Sequence, residues 1–197
     1  MTGFTKRTHK PPFARRFSFF SRSALALVIA LAALLSAGCS LPETYPRRYE
    51  EEVLAASEKY ALDPNLVFAV IRTESSFRAE AVSSAGAKGL MQLMDVSAEW
   101  VCWRQGTELD ASRIFEPAYN IDLGCYLLAY LLDRYGGNIA NAAAAYNAGA
   151  GTVDRWLADP ELYDGETLSI PYGETRSYVQ KVLDSYEKYT EQANKAG

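Results

Sequence analysis

Apolar residues recur every three or four positions through most of the chain between residues 49 and 190, which is the period of an α-helix. Few windows show the alternating pattern of a strand. The sequence therefore predicts a mainly α, compact helical domain with at most a minor β-hairpin. The expected helical segments are 49–60, one beginning after Asp63, 90–102, 120–135, 138–147, a short one at 153–157, and 175–189.

Glu74 is an acidic residue in an otherwise apolar stripe of the predicted helix after Asp63, which can cap that helix ahead of Pro64. The apolar residues at same-face helical spacings from Glu74 are Leu66, Val67, Val70, Ile71 and Phe77. Burial disfavours a charged carboxylate and raises its pKa, which is how a carboxyl group becomes a general acid. The alternative is a surface salt bridge with Arg78, four residues later.

The N-terminal residues 1–38 have the pattern of an export signal, with basic residues, no acid, and then an apolar run over 24–37. That run is too short to predict a spanning helix. Residues 35–39, Leu-Ser-Ala-Gly-Cys, resemble a bacterial lipoprotein box, and Ser40 resembles the sorting residue of outer-membrane lipoproteins. We expect a signal peptide over 1–38, lipidation at Cys39, a lipid-anchored tether over 39–48, and a periplasm-facing lipoprotein of the outer membrane.

Charge and histidine content exclude several classes of function. The chain has 20 Lys and Arg against 24 Asp and Glu, and six of the basic residues precede Cys39, so the processed chain would have a net charge of −10. Nucleic acid and anionic lipid are poor partners for such a chain, which leaves the lipid anchor as its membrane contact. The single histidine, His9, lies in the predicted signal, which excludes histidine-based triads and metal sites after processing. Carboxylates and tyrosines remain as candidate catalytic groups.

Cys102 and Cys125 are the cysteines that remain after Cys39 is assigned to lipidation. An even pair in an oxidising compartment favours a disulfide, which is the prediction here. The alternative is two buried free thiols.

Four separated segments contain residues suited to a ligand cleft rather than to packing alone. They are Glu74-Ser-Ser-Phe, the glycine-containing stretch 83–94, Ala-Ala-Tyr-Asn-Ala-Gly at 144–149, and Ile-Pro-Tyr-Gly-Glu-Thr-Arg-Ser-Tyr-Val at 170–179. Glycines let a backbone approach a ligand, and Gln92 offers a donor and an acceptor on one amide. Taken singly, Gln92 could be a surface amide, Tyr146 a core residue, and Glu174 a first-turn acid facing the helix dipole.

In this order and at these separations, the four motifs resemble those of the soluble-type, family 1 lytic transglycosylases, which have a goose-lysozyme-like catalytic domain. The resemblance covers about residues 49–189. It implies a compact, lysozyme-like (goose-type) helical catalytic domain over 49–190, followed by a tail over 191–197. One departure is Asp95-Val-Ser-Ala, where the family commonly has Pro-x-Thr-Ala.

The resemblance also implies an activity on peptidoglycan glycan strands. The enzyme would cleave the β-1,4 bond between N-acetylmuramic acid and N-acetylglucosamine and leave a 1,6-anhydromuramyl end. Glu74 would act first as acid and then as base, while the substrate's 2-acetamido oxygen would stabilise the developing oxocarbenium centre. The resemblance implies that no metal and no cofactor is needed. The residues implied to bind the glycan or support the cleft are Ser83, Gln92, Met94, Tyr146, Asn147, Glu174 and Tyr178.

Two other functions fit the sequence. A goose-type lysozyme-like hydrolase would use water in place of the muramyl C6 hydroxyl, and a non-catalytic peptidoglycan-binding protein would retain the cleft for docking. The sequence leaves open exo or endo cleavage, the preferred stem peptide, partner complexes and the oligomeric state.

Overall fold

Seven α-helices form the part of the chain that the computed structural model describes, residues 45–196. They are α1 (Glu50–Tyr60), α2 (Pro64–Ser75), α3 (Asp95–Arg104), α4 (Pro117–Arg134), α5 (Ile139–Ala148), α6 (Ala150–Leu157) and α7 (Gly173–Ala196). A 3₁₀ turn, Ala111–Arg113, precedes α4. Within 45–196 the β structure consists of three isolated bridges: Val82 with Lys88, Lys88 with Leu93, and Tyr163 with Leu168. The mainly α prediction is confirmed.

Helix α2 lies at the centre of the main core. Asp63 caps it by accepting a 2.8 Å hydrogen bond from the Asn65 amide, and Pro64 occupies its first turn. The six residues from Leu66 to Ile71 are all buried, as expected of a helix surrounded by other elements. Its main partner is α7, while α4 packs against α1, α3 and α5. The last turn of α2, which contains Glu74, is therefore held from several sides.

The predicted helix 90–102 begins five residues late, at Asp95, because residues 83–94 form a loop. Gly89 and Gln92 in that loop have left-handed backbones, with φ of +78° and +48°, which interrupt a helix. Leu90, Met91 and Leu93 are apolar because this part of the loop is buried, although it is not helical.

At both ends of the described chain, ordered structure continues past a predicted domain boundary. Helix α7 continues to Ala196, so the tail predicted at 191–197 is helical up to that residue. At the other end, part of the predicted tether packs on the domain: the Tyr45 ring meets the Tyr189 ring edge-on at 5.4 Å, and the Pro46 carbonyl accepts a 2.9 Å hydrogen bond from Tyr189 Oη. The predicted signal peptide and Cys39 lie outside the described residues.

No helix between residues 45 and 196 combines the length and the apolar character needed to cross a bilayer.

The predicted disulfide is wrong: Cys102 and Cys125 are both buried free thiols. They belong to different apolar clusters, which explains why they do not pair. Cys125 on α4 lies in the main core, whereas Cys102 on α3 lies in a smaller cluster, where its sulfur is 3.7 Å from Tyr119 Oη. Burial raises the pKa of the Cys125 thiol, so this cysteine is a neutral core side chain.

Candidate active site

Glu74 lies in the last turn of α2, just before a sharp change of chain direction. The two residues after the helix, Ser76 and Phe77, both have left-handed backbones, with φ of +51° and +62°. Each costs roughly 1 kcal/mol for a residue with a Cβ. Burial of the Phe77 ring and a 2.8 Å hydrogen bond from Ser75 Oγ to the Leu90 carbonyl hold the turn in place. Strain is thus concentrated beside the acidic residue.

The carboxyl group of Glu74 is partly buried, and its partner is a tyrosine rather than a base. Burial raises the pKa of Glu74 from 4.5 to about 7, and a 2.7 Å hydrogen bond from Tyr178 Oη to Glu74 Oε1 acts in the opposite direction. The Arg78 side chain forms no ion pair with Glu74, and its Nε instead donates to the Ser75 carbonyl at 2.9 Å. The alternative of a surface salt bridge between Glu74 and Arg78 is therefore wrong.

Tyr146 approaches Glu74 from the end of α5. Its hydroxyl donates a 2.8 Å hydrogen bond to the Met91 carbonyl. Burial and the neighbouring Glu74 carboxylate raise the pKa values of both Tyr146 and Tyr178, so both phenols keep their protons. Three helices, α2, α5 and α7, thus bring one acid and two neutral hydroxyl groups together.

The loop 83–94 is fixed by its own hydrogen bonds. The Ser83 hydroxyl accepts from the Ala87 amide at 3.0 Å, and the Lys88 and Leu93 backbones exchange two bonds of 2.9 Å. Gln92 Nε2 donates to the carbonyls of Ala81 at 3.1 Å and Gly89 at 2.9 Å, which leaves its amide oxygen for other contacts. The loop that contains Ser83 and Gln92 is therefore rigid.

The other predicted site residues adjoin this centre in the chain: Met94 ends the loop 83–94, Asn147 follows Tyr146, and Glu174 precedes Tyr178 on α7. Met94, at the start of α3, is 40% exposed and can contact a ligand. Asn147 Oδ1 accepts a 2.8 Å hydrogen bond from Thr175 Oγ1, which joins the end of α5 to the start of α7. Glu174 is exposed in the first turn of α7, one helical turn before Tyr178 and on the same face.

Asn120 is a residue that sequence reasoning missed. It is fully buried on α4, and its side chain accepts from the Met91 amide at 2.8 Å and donates to the carbonyls of Lys88 at 3.1 Å and Ile114 at 2.9 Å. A Cβ on Gly89 would lie 2.3 Å from Asn120 Nδ2, so the close approach requires glycine there. The sequence pattern that could have identified Asn120 is the one used for Glu74, a polar side chain among apolar neighbours. Asn120 is a positioning residue for the loop.

Comparisons with known proteins agree with this arrangement. Residues 51–168 match the transglycosylase SLT domain. The membrane-bound lytic murein transglycosylase C of Edwardsiella ictaluri is 35% identical over 169 residues, which are 72% of this chain and 46% of that protein. An inactive mutant of the lytic transglycosylase Slt from Pseudomonas aeruginosa superposes with a TM-score of 0.70 at 30% identity, over 87% of this chain and 28% of the other.

The 70 kDa soluble lytic transglycosylase of Escherichia coli superposes with a TM-score of 0.68 at 29% identity, over 84% of this chain and 27% of the other. This chain thus spans less than half the length of each of these relatives. The predicted lysozyme-like helical fold class is confirmed by these superpositions. The family match covers more than half of the chain and includes Glu74 and the loop 83–94. The chain belongs to the transglycosylase SLT domain family.

Proposed function

We propose that this chain is a peptidoglycan lytic transglycosylase that cleaves the β-1,4 bond between N-acetylmuramic acid and N-acetylglucosamine and forms 1,6-anhydromuramyl ends. The observation that carries the proposal is the Glu74 carboxyl group, which is partly buried, hydrogen-bonded to Tyr178 and has a pKa of about 7. Family membership and the names of the relatives, which are lytic transglycosylases, support the same reaction.

Glu74 performs both proton transfers in the proposed reaction. In the first step the protonated carboxyl group donates its proton to the glycosidic oxygen as the bond from that oxygen to the muramyl C1 breaks. The substrate's own acetamido oxygen stabilises the positive charge that develops at C1. In the second step the Glu74 carboxylate takes the proton of the muramyl C6 hydroxyl, and O6 forms a bond to C1. The carboxyl group is then protonated again, and no water is consumed.

The Tyr178 hydroxyl supports the charged form of Glu74 between the two steps. Since it donates to Oε1, it stabilises the carboxylate that exists after the first proton transfer. A pKa near the working pH lets one group act as acid and as base at similar cost. Tyr146 holds the Met91 backbone beside this pair.

The electrostatics of the site favour a mechanism with one carboxyl group. Ordinary glycosidases use two carboxyl groups that flank the scissile bond. Over residues 45–196 the causes that shift the pKa of Glu74 are burial and Tyr178, with no contribution from a second carboxylate. Glu174 is exposed, and its carboxylate oxygens are suited to accepting hydrogen bonds from sugar hydroxyls.

The mass of the products tests the proposal. Purified sacculi are digested with the protein, and the released muropeptides are analysed by mass spectrometry without chemical reduction. A transglycosylase gives ends that are one water lighter than reducing ends. Products with only reducing ends would instead identify a goose-type hydrolase, and binding to sacculi without release would identify a non-catalytic peptidoglycan-binding protein.

The proposed location is the periplasmic face of the outer membrane, with attachment through lipid on Cys39. The signal-like residues 1–38 and the membrane-bound relative support it. Replacement of Cys39 by Ser tests the anchor. The wild-type protein should sediment with outer-membrane vesicles and the Cys39→Ser protein should not. Equal sedimentation of the two proteins contradicts lipid attachment at this residue.

A further inference from the structure

A polar pocket of about 400 Å³ lies beside α2 and α7, and neither Glu74 nor Tyr178 lines it. One wall is the side chain of Tyr45, at the start of the described chain, and side chains of the two helices form the rest. These include Arg72, Ser76, Lys181, Asp184 and Ser185. The proposed reaction uses none of these side chains, so the pocket is available for another ligand.

Two cationic side chains in the pocket have no acidic partner. The Arg72 guanidinium lies over the Tyr45 ring, with its central carbon 4.2 Å from the ring centroid. Stacking on a ring leaves the N–H groups at the edge of a guanidinium able to donate. Among residues 45–196, neither Arg72 nor Lys181 forms an ion pair. The two side chains therefore offer unneutralised donors to an anion.

Two serine hydroxyls add donors to the same pocket. Ser185 is only 7% exposed, and its hydroxyl has no hydrogen-bond partner between residues 45 and 196. A buried hydroxyl without a partner costs free energy, which a ligand that accepts its proton would recover. Ser76 is exposed, and its Oγ makes only a long 3.4 Å contact with the Arg72 carbonyl. Cations and hydroxyl donors in one pocket suit a phosphate group.

The charge of the pocket favours one kind of phosphate. Asp184 adds one negative charge beside Arg72 and Lys181, so two cations and one carboxylate leave the lining with a single net positive charge. A phosphodiester matches it with one negative charge, whereas a phosphomonoester carries about −1.5 to −2. Asp184 Oδ1 accepts from Gln180 Nε2 at 2.7 Å, which leaves its other oxygen for an ammonium group. A phosphodiester that carries an amine therefore fits best.

The proposed lipid on Cys39 would bring membrane headgroups within reach of this pocket. Tyr45 follows Cys39 by six residues, which span at most about 20 Å along an extended chain. On an anchored protein the wall formed by Tyr45 would thus lie near the membrane surface. The processed chain is strongly acidic, so it is repelled by anionic lipid but not by a headgroup without net charge.

We propose that this pocket binds the headgroup of a zwitterionic phospholipid, in which a phosphodiester is joined to a primary amine. Arg72, Lys181 and Ser185 donate to the phosphate oxygens, and Asp184 accepts from the amine. The inference rests on the membrane location given under the proposed function, because the membrane supplies the headgroup. Binding holds α2 and α7 at the membrane surface and so orients the Glu74 site relative to it.

A water-soluble headgroup tests the pocket without a membrane. Glycerophosphoethanolamine has the phosphodiester and the amine but no acyl chains. Its binding to the full chain, in a non-ionic detergent and a phosphate-free buffer, is measured by isothermal titration calorimetry. Inorganic phosphate and glycerophosphoglycerol, a phosphodiester without an amine, are titrated in parallel. We expect glycerophosphoethanolamine to bind more tightly than either of them.

Lys181→Gln should weaken the binding of glycerophosphoethanolamine about tenfold, as expected for the loss of a charge-assisted hydrogen bond. Arg72→Gln should weaken it at least as much, because a guanidinium can donate two parallel hydrogen bonds to a phosphate. The matched control is Lys188→Gln, since Lys188 is an exposed cation on the same helix and outside the pocket lining. It should keep the wild-type affinity. Lys181→Gln and the control should turn over soluble glycan strands at the wild-type rate.

An unchanged affinity for Lys181→Gln overturns the proposal, and this exposed substitution keeps the test valid even if Arg72→Gln disturbs the packing of Tyr45. Equal or tighter binding of inorganic phosphate also overturns it, because the pocket would then be a site for free phosphate. The same result with glycerophosphoglycerol would show that the amine is not recognised.

Loss of glycan turnover by Lys181→Gln would assign the pocket to the glycan strand and overturn the lipid proposal. The titration needs neither lipid on Cys39 nor cleavage of glycan, so its failure leaves the proposed function standing. Equal sedimentation of the wild-type and Cys39→Ser proteins contradicts the anchor, whatever the titration gives.

Discussion

The phenol of Tyr178 donates a 2.7 Å hydrogen bond to Glu74 Oε1 and joins α7 to α2 across 104 residues of chain. Two opposing effects meet at this carboxyl group. Burial raises the pKa and is the larger effect, while the hydrogen bond favours the charged form and lowers it. The resulting value of about 7 leaves both protonation states populated near neutral pH.

Replacement of Glu74 by Gln should abolish glycan release while glycan binding survives. An amide keeps the shape of the side chain but neither donates an acidic proton nor accepts one, and such transfers contribute roughly 10²- to 10⁴-fold in rate. The measurement is anhydromuropeptide release, alongside sedimentation with sacculi. Glu80→Gln is the control, because Glu80 is exposed in the loop that follows the site. Release by Glu74→Gln at the wild-type rate would assign catalysis to another residue.

The same substitution should make stability less dependent on pH. The folded-state pKa of Glu74 is about 7 against an ordinary 4.5, so its proton stabilises the fold below about pH 4.5, and that contribution is lost as the pH rises through 7. The loss amounts to at most about 3 kcal/mol, since the carboxyl group is partly exposed to solvent. Urea unfolding at pH 4 and pH 8 measures it.

Wild-type stability should fall relative to Glu74→Gln between these two pH values, because all other titrating groups are common to both proteins. A constant difference between the two proteins would mean that the pKa of Glu74 is not raised.

Replacement of Tyr178 by Phe should move the alkaline limb of the pH–rate profile to higher pH. The lost hydrogen bond stabilised the carboxylate, so its removal raises the pKa of Glu74 and keeps the acid protonated further into the alkaline range. The maximal rate should fall, because the carboxylate formed in the first step loses a donor. The measurement is kcat/KM against pH on soluble glycan strands.

Tyr186→Phe is the control for this experiment. It removes another tyrosine hydroxyl from α7, one that bonds Asp63 Oδ2 at 2.7 Å at the other end of α2. The control should keep the wild-type pH profile. A displacement of the profile in both variants would point to a general effect on α7 rather than to the Tyr178 contact.

The start of α2 and the position of Glu74 could be predicted because their causes are local. Asp63 and Pro64 mark the helix start, and the apolar period around Glu74 spans only a few turns. The partner of Glu74 could not be predicted in the same way. Tyr178 has core spacing on its own helix, and only the packing of α7 on α2 reveals which side chain its hydroxyl meets.

In the loop 83–94, the local sequence pattern predicted the wrong secondary structure. Apolar spacing over Leu90 to Leu93 suits a helix, yet the left-handed Gln92 excludes one. Besides its own hydrogen bonds, the loop is held by Asn120 on α4, whose side chain accepts from the Met91 amide, 29 residues earlier in the chain. The sequence of the loop alone therefore does not predict this contact with Asn120.

Substitution of two glycines in this loop distinguishes the cost of backbone strain from the cost of a steric clash. Gly86 and Gly89 both have positive φ, +89° and +78°, but a Cβ on Gly86 meets nothing within 4 Å, whereas one on Gly89 lies 2.3 Å from Asn120 Nδ2. Gly86→Ala should cost about 1 kcal/mol from the backbone alone. Gly89→Ala should cost about 2 kcal/mol more, because it displaces the buried amide and breaks its hydrogen bonds.

Thermal unfolding of the two variants measures these costs, and glycan turnover should fall mainly in Gly89→Ala. Equal destabilisation of both variants would show that the Asn120 contact does not stabilise the loop.

Cys102 and Cys125 should be free and unreactive in the folded protein, even after export to an oxidising compartment. Both are buried, in separate apolar clusters, which keeps reagents from their sulfur atoms. Burial also raises the pKa of the Cys125 thiol, so little nucleophilic thiolate forms at that residue. The measurement is alkylation without reductant, before and after unfolding in urea, followed by peptide mapping. We expect both cysteines to be alkylated only after unfolding. A peptide pair that contains Cys102 and Cys125 and separates only on reduction would restore the disulfide that their even number suggested.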